Sequence, residues 1–121
     1  MMVSEAMNRA VVTVEPDAVF EVAAELARRT GAEHLLVVDE QNLVGIVCAC
    51  DLRDAEPGDH VSDRMSVPVV TVRPDTSLEE VRETMEECAV GCIPVAVGGL
   101  ILGTVSDAEL ARSGRAAPRP H

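Results

Sequence analysis

Apolar residues recur along this chain at two spacings. Short β-branched runs stand at 11–14 (VVTV), 35–38 (LLVV), 43–47 (LVGIV), 69–72 (VVTV), 94–97 (PVAV) and 100–105 (LILGTV), and each reads as a strand. Between them the period lengthens to that of a helix. Leu78, Val81, Met85 and Cys88 fall on one stripe, which predicts a helix with Cys88 in the core, and Thr76 followed by Glu79 predicts a capping box at its start. Earlier in the chain Phe20, Ala23 and Ala27 lie beside Val19, Val22 and Leu26, a broader apolar face that predicts a more deeply buried helix. Glu40, Gln41 and Asn42 separate one pair of strand runs, and Gly98-Gly99 separates another as a strong hairpin signal.

The same order of elements occurs twice. Sliding the chain by 58 residues places Val3, Ser4 and Met7 on Val61, Ser62 and Met65, then VVTVEPD at 11–17 on VVTVRPD at 69–75, then Gly45, Val47 and Leu52 on Gly103, Val105 and Leu110. One register over fifty residues marks an internal repeat. The expected organisation is a first repeat at 1–56, a linker at 57–60 around Pro57-Gly58-Asp59, a second repeat at 61–113 and a flexible Arg/Pro tail at 114–121. Each repeat reads β-α-β-β-α, so the fold class is α+β. A unit this short buries too little surface to stand alone. The two copies are therefore expected to pack about a pseudo-twofold axis, leaving two equivalent clefts of the kind in which small ligands bind.

Charge and composition narrow the partners. The net charge is −11 over 121 residues, every basic residue is an arginine, and three of the ten, Arg112, Arg115 and Arg119, fall in the last ten positions without an acid. A body this acidic repels a phosphate backbone, and Phe20, the one aromatic residue, cannot build a stacking platform, so nucleic acid is not expected as a partner. No apolar run reaches the ~20 residues of a membrane span, and the first residues have no signal-peptide pattern. A cytoplasmic location without membrane contact is the expectation.

With the repeat in view, the residues resemble a known family. Met-x3-Val-Val-Thr-Val-x-Pro-Asp at 7–17 and 65–75, a helix, a Pro-Val strand, then GIVCACDL at 45–52 and GTVSDAEL at 103–110 are similar to the CBS domain, and the doubled pattern resembles a CBS pair, or Bateman module, over residues 3–113. The resemblance implies tandem CBS repeats, association into a homodimer, an unknown protein partner that reads the state of the module, and binding of an adenosine-containing ligand. It also implies site residues. The acid of Gly-h-Val-Thr/Ser-x-x-Asp holds ribose hydroxyls in the family, which corresponds to Asp51 in the first copy and Glu109 in the second. The hydroxyl of the motif meets phosphate, which corresponds to Cys48 and Ser106. His34 stands where relatives often carry a basic residue, and adenine would lie among Ala10, Val11 and Val12, then Pro68, Val69 and Val70, and Ile93, Pro94 and Val95. Where relatives often place an arginine before the acid, this chain has Cys50 and Ala108, which removes charge-assisted hydrogen bonds to polyphosphate. Adenosine, AMP or S-adenosylmethionine is therefore favoured over ATP, with no cofactor required.

Each of these residues also has a plainer reading. Asp51 could cap the helix that begins there, Ser106 could be an N-cap or turn residue, and Glu109 reads as a solvated helix acid. Cys48-x-Cys50 and Cys88-x3-Cys92 supply four thiols, but neither spacing is that of a zinc knuckle, so Cys88 reads as core, Cys48 as a small buried filler, and no metal site is expected. No glycine-rich phosphate loop or catalytic constellation is present, so the chain is not expected to be an enzyme. The functional expectation is a ligand-sensing regulatory module whose best site contains Asp51. The alternative is a dimerisation module with vestigial, empty sites.

Overall fold

The computed structural model describes residues 1–67 and 69–116, with side chains through residue 112. The chain divides into two compact units, residues 11–69 and residues 1–10 with 70–121.

In the unit formed by 11–69, β1 (Thr13–Val14) runs parallel to β2 (His34–Asp39), which pairs antiparallel with β3 (Asn42–Cys48), giving a sheet in the order β1-β2-β3. Helix α1 (Phe20–Thr30) ends at Gly31 in the left-handed conformation, and the short helices α2 (Ala49–Arg53) and α3 (Val61–Arg64) follow. Ala23, Ala27, Leu35, Val37, Val47, Leu52 and Val61 close the core. Helix α1 does not sit deeper than its counterpart, contrary to its broad apolar face. Only its two alanines are buried, and Val22 is 58% exposed. The hairpin turn is the two residues Glu40 and Gln41, both at positive φ, and Asn42 opens β3.

The unit formed by 1–10 and 70–121 repeats this plan. A 3-10 turn at Val3–Glu5 precedes α4 (Leu78–Cys88), the hairpin β4 (Cys92–Val97) and β5 (Leu100–Ser106), and α5 (Asp107–Ala116). The counterpart of β1 is reduced to a parallel bridge from Val72 to Val95. Leu78, Val81 and Met85 are buried as the helical period requires, but Cys88 is exposed. It is the last residue of the helix, which ends on Ala89 in the left-handed conformation, so no following turn covers it. The capping residue of α4 is Ser77, whose hydroxyl accepts the Glu80 N–H at 3.2 Å; Thr76 instead accepts from the Arg73 N–H, so the box Thr76–Glu79 does not form.

Hydrogen bonds explain why the units differ from the sequence repeats. The Val3 N–H donates to the Thr76 carbonyl at 2.8 Å and Asn8 exchanges two backbone bonds with Thr104, so the first ten residues join the core of Val81, Ile93 and Val105. One repeat later, the Val61 N–H donates to the Ala18 carbonyl at 2.9 Å and Ser66 exchanges two bonds with Ile46. The segment read as a linker belongs to the unit of 11–69: the Phe20 N–H donates to the Asp59 carbonyl, and Arg64 binds the Asp59 carboxylate. Helix α5 extends to Ala116, into the span expected as tail, and residues 117–121 lie outside the described residues.

Candidate functional site

Each unit delivers its second hairpin strand to the start of a helix, and the motif residues stand at that junction. In the unit of 11–69, β3 ends at Cys48, which is the N-cap of α2 and whose Sγ accepts the Cys50 N–H at 3.3 Å. The half-buried thiol thus takes the place that a capping hydroxyl usually holds. The strand register sets His34 directly opposite Cys48, and the Ala49 N–H donates to the Glu33 carbonyl at 2.8 Å. Asp51 follows as the third residue of α2. It does not cap the helix; its carboxylate is exposed and accepts no hydrogen bond among the described residues. The Cys50 thiol, also exposed, is pushed above its ordinary pKa, first by its hydrogen bond with the Cys48 thiol, then by desolvation and by the charges of Cys48 and Asp51, with Arg53 opposing.

The other junction has the same backbone and the opposite chemistry. The Glu109 side chain is 7% exposed. Its Oε1 accepts the Ser106 N–H at 2.7 Å and the Ser106 hydroxyl at 2.6 Å, and its Oε2 accepts from Arg112 Nη2 at 2.9 Å. Glu109 is therefore not a solvated helix acid. The extra methylene that separates it from Asp lets it fold back onto the first turn, where the charge-assisted bonds to Ser106 and Arg112 compensate for burial. From sequence Arg112 counted only among the terminal arginines, although the Ser-x-x-Glu spacing of a capping box and the Glu-x-x-Arg helical pair are both legible there.

The remaining sequence-selected residues are dispersed. Val11, Val12 and Val69 are half-buried in the unit of 11–69, where the Val12 carbonyl accepts the Leu36 N–H at 2.9 Å beside His34. Ala10 is exposed and Val70 half-buried in the other unit. Ile93, Pro94 and Val95 are fully buried, Ile93 and Val95 within the core formed with Val81 and Val105. Pro68 lies outside the described residues.

A groove between the first and second helices of each repeat distinguishes the units further. In the unit of 11–69 it encloses about 670 Å³, and Ala24, Ala27, Ala32, Cys48, Ala49, Cys50 and Arg53 are among the residues that line it. At the matching positions the other unit has Arg82, Met85, Val90 and Asp107, the space falls to about 370 Å³, and Arg82 Nη2 spans it to the Leu110 carbonyl at 3.1 Å. Among the described residues no helix is long and apolar enough to cross a membrane.

Comparison with known proteins agrees with this repeated architecture. A family model of the CBS domain matches residues 3–58 and again 61–115. An inosine-5'-monophosphate dehydrogenase of Korarchaeum cryptofilum is 35% identical over 100 residues, which are 81% of this chain and 21% of the dehydrogenase. The chain spans about a fifth of the length of the curated enzymes it matches. Among solved structures, the CBS domain pair of protein MJ0100, in complex with 5'-methylthioadenosine and S-adenosyl-L-methionine, has a TM-score of 0.87 at 22% identity, over 96% of this chain and 97% of that one. CBSX2 in complex with AMP has a TM-score of 0.83 at 22% identity, over 98% of this chain and 99% of that one. At that identity the likeness is one of fold. The chain belongs to the CBS domain family and carries two copies of the domain.

Proposed function

We propose that this protein is a non-catalytic regulatory module that binds an adenosine-type ligand through the junction of β3 and α2. The observation that carries the proposal is the free carboxylate of Asp51, exposed at the first turn of α2 with His34 and Cys48 paired alongside. A carboxylate with unused lone pairs can accept from both hydroxyls of a ribose. The family membership and the adenosine compounds named with MJ0100 and CBSX2 support this reading. Cys50, not an arginine, directly precedes Asp51, and the net charge of −11 opposes a polyphosphate, so adenosine, AMP or S-adenosylmethionine is favoured over ATP. The module acts as a homodimer whose packing a protein partner reads, because ligand can shift an equilibrium only through different affinity for two arrangements.

A second reading, an assembly module with vestigial sites, is favoured at the other junction, where Glu109 is already engaged by Ser106 and Arg112. Thermal unfolding with adenosine, AMP, S-adenosylmethionine and ATP separates the two. Ligand at a hundred times its dissociation constant adds about 2.7 kcal/mol to stability. Stabilisation by one of the first three that is lost in Asp51→Ala supports the sensor. No shift with any of the four supports the assembly module.

A further inference from the structure

We infer that, in the homodimer of the proposed function on which this reading rests, the groove between α1 and α2 of one copy receives helix α4 of the other. Small apolar residues wall the groove, Ala24, Ala27, Ala32 and Ala49, and such walls admit the ridge of a neighbouring helix. Asp51 does not line it, so an occupant there leaves the ribose acceptor free. The matching space of the other unit is closed to a helix, because Arg82 crosses it to the Leu110 carbonyl.

Charge selects the occupant. Among the described side chains, Arg29 and Arg53 are the arginines without a hydrogen bond or ion pair, since the others hold carboxylates or backbone carbonyls. Arg53 lines the groove with Arg28, Arg29 is exposed on α1, and Glu33 is the acid on the same wall. Helix α4 has the opposite surplus. Its Glu79, Glu80, Glu83, Glu86 and Glu87 are exposed, and their carboxylates have no partner among the described residues. Glu79, Glu83 and Glu87 stand four residues apart and form one ridge, with aliphatic stems for the alanine walls and charges for the unpaired arginines. Contact of α4 with α4 would set five unpaired acids against five, and contact of groove with groove would leave both unfilled. Unlike faces therefore meet.

The test is sedimentation equilibrium of the full chain at low salt, where a dimer is expected that salt at about 1 M weakens. Arg53→Glu and Glu83→Arg should each weaken it at least roughly tenfold. The double variant should regain the association of the parent, because residues 53 and 83 meet across the interface. Glu40→Arg, the same charge change as at 83 but placed at the turn between β2 and β3, should associate as the parent does. All three positions are exposed, so the variants keep the fold, and thermal unfolding checks this. A dimer that either single variant leaves intact, that the double variant fails to restore, or that Glu40→Arg weakens equally overturns this interface and leaves the homodimer standing. A monomer at every concentration removes the homodimer and the interface together, and leaves the response of Asp51 to ligand as a separate measurement.

Discussion

Glu109 Oε1 holds both the backbone N–H and the hydroxyl of Ser106, while its counterpart one repeat earlier, Asp51, holds nothing among the described residues. The same motif position has therefore become a structural clamp in one half of the chain and remained a free acceptor in the other. The difference arises from one methylene and one nearby arginine. A buried carboxylate persists only when its lone pairs are used, and Arg112 with Ser106 uses them.

The clamp predicts unequal substitutions. Glu109→Ala removes a helix cap and leaves the Ser106 N–H without its acceptor, so it should cost about 2 kcal/mol in urea unfolding. Asp51→Ala, at an exposed position, should stay within about 0.5 kcal/mol of the parent. Equal costs would mean that the two junctions are energetically alike.

A second contrast lies in the motif glycines. A Cβ built on Gly103 would stand 2.6 Å from the Asn8 carbonyl oxygen, whereas one on Gly45 would meet the Met65 sulfur at 2.5 Å. Backbone held by two hydrogen bonds cannot withdraw as a thioether can. Gly103→Ala should therefore cost about 3 kcal/mol, and Gly45→Ala about 1 kcal/mol. Combining Gly45→Ala with Met65→Ala should remove the clash at 45, which a double-mutant cycle measures directly.

Much of this was legible in the chain. The offset of 58 residues gave the two hairpins and the motif junctions, because Gly98-Gly99, the β-branched runs and the helical stripe at Leu78, Val81 and Met85 are local signals. What escaped was the assignment of Val3 and Val61 to units. Both carry the same neighbours at the same spacing, so either could satisfy the bonds that Thr76 and Ala18 accept, and a repeat alone does not say which. The burial of Glu109 escaped for a different reason. An acid in a helix is ordinarily solvated, and only the joint presence of Ser106 and Arg112 reverses that.

Strained turns offer stabilising changes. Glu40 and Gln41 have φ of 49° and 73°, the conformation that Gly98 and Gly99 occupy in the other hairpin, and Ala89 ends α4 at φ 54° where Gly31 ends α1. Left-handed backbone costs an L-residue about 1 kcal/mol relative to glycine. Glu40→Asn/Gln41→Gly and Ala89→Gly should each raise stability by about 1 kcal/mol, measured as a higher urea midpoint at unchanged m-value.

Asp59 links stability to acid. Its Oδ2 accepts the Glu56 N–H at 3.0 Å and the Arg64 guanidinium at 2.8 and 3.0 Å; the backbone bond first, then Arg64, holds its pKa below the ordinary aspartate range. A carboxylate depressed in the folded state binds fewer protons there than in the unfolded chain. Its contribution is thus complete above the unfolded pKa and disappears as pH falls through the folded one. Asp59→Asn should be less stable than the parent at neutral pH, and the gap should close in acid. A gap that stays constant from neutral pH to acid would show that this carboxylate is not the linked group.

The assignment of Val3 to the unit of β4 and β5 gives the sharpest test of the architecture. Val3 and Val61 are both fully buried, Val3 with Val81, Ile93 and Val105, and Val61 with Leu35, Val37 and Val47. Removing the methyl groups of a buried valine costs about 2 kcal/mol. Native-state hydrogen exchange locates that loss. Val3→Ala should accelerate exchange of the β4 and β5 amides and leave β2 and β3 close to the parent, although Val3 precedes β2 by only about thirty residues and β4 by about ninety. Val61→Ala should do the reverse. Loss of protection in β2 and β3 on substituting Val3 would mean that its segment packs with its own repeat.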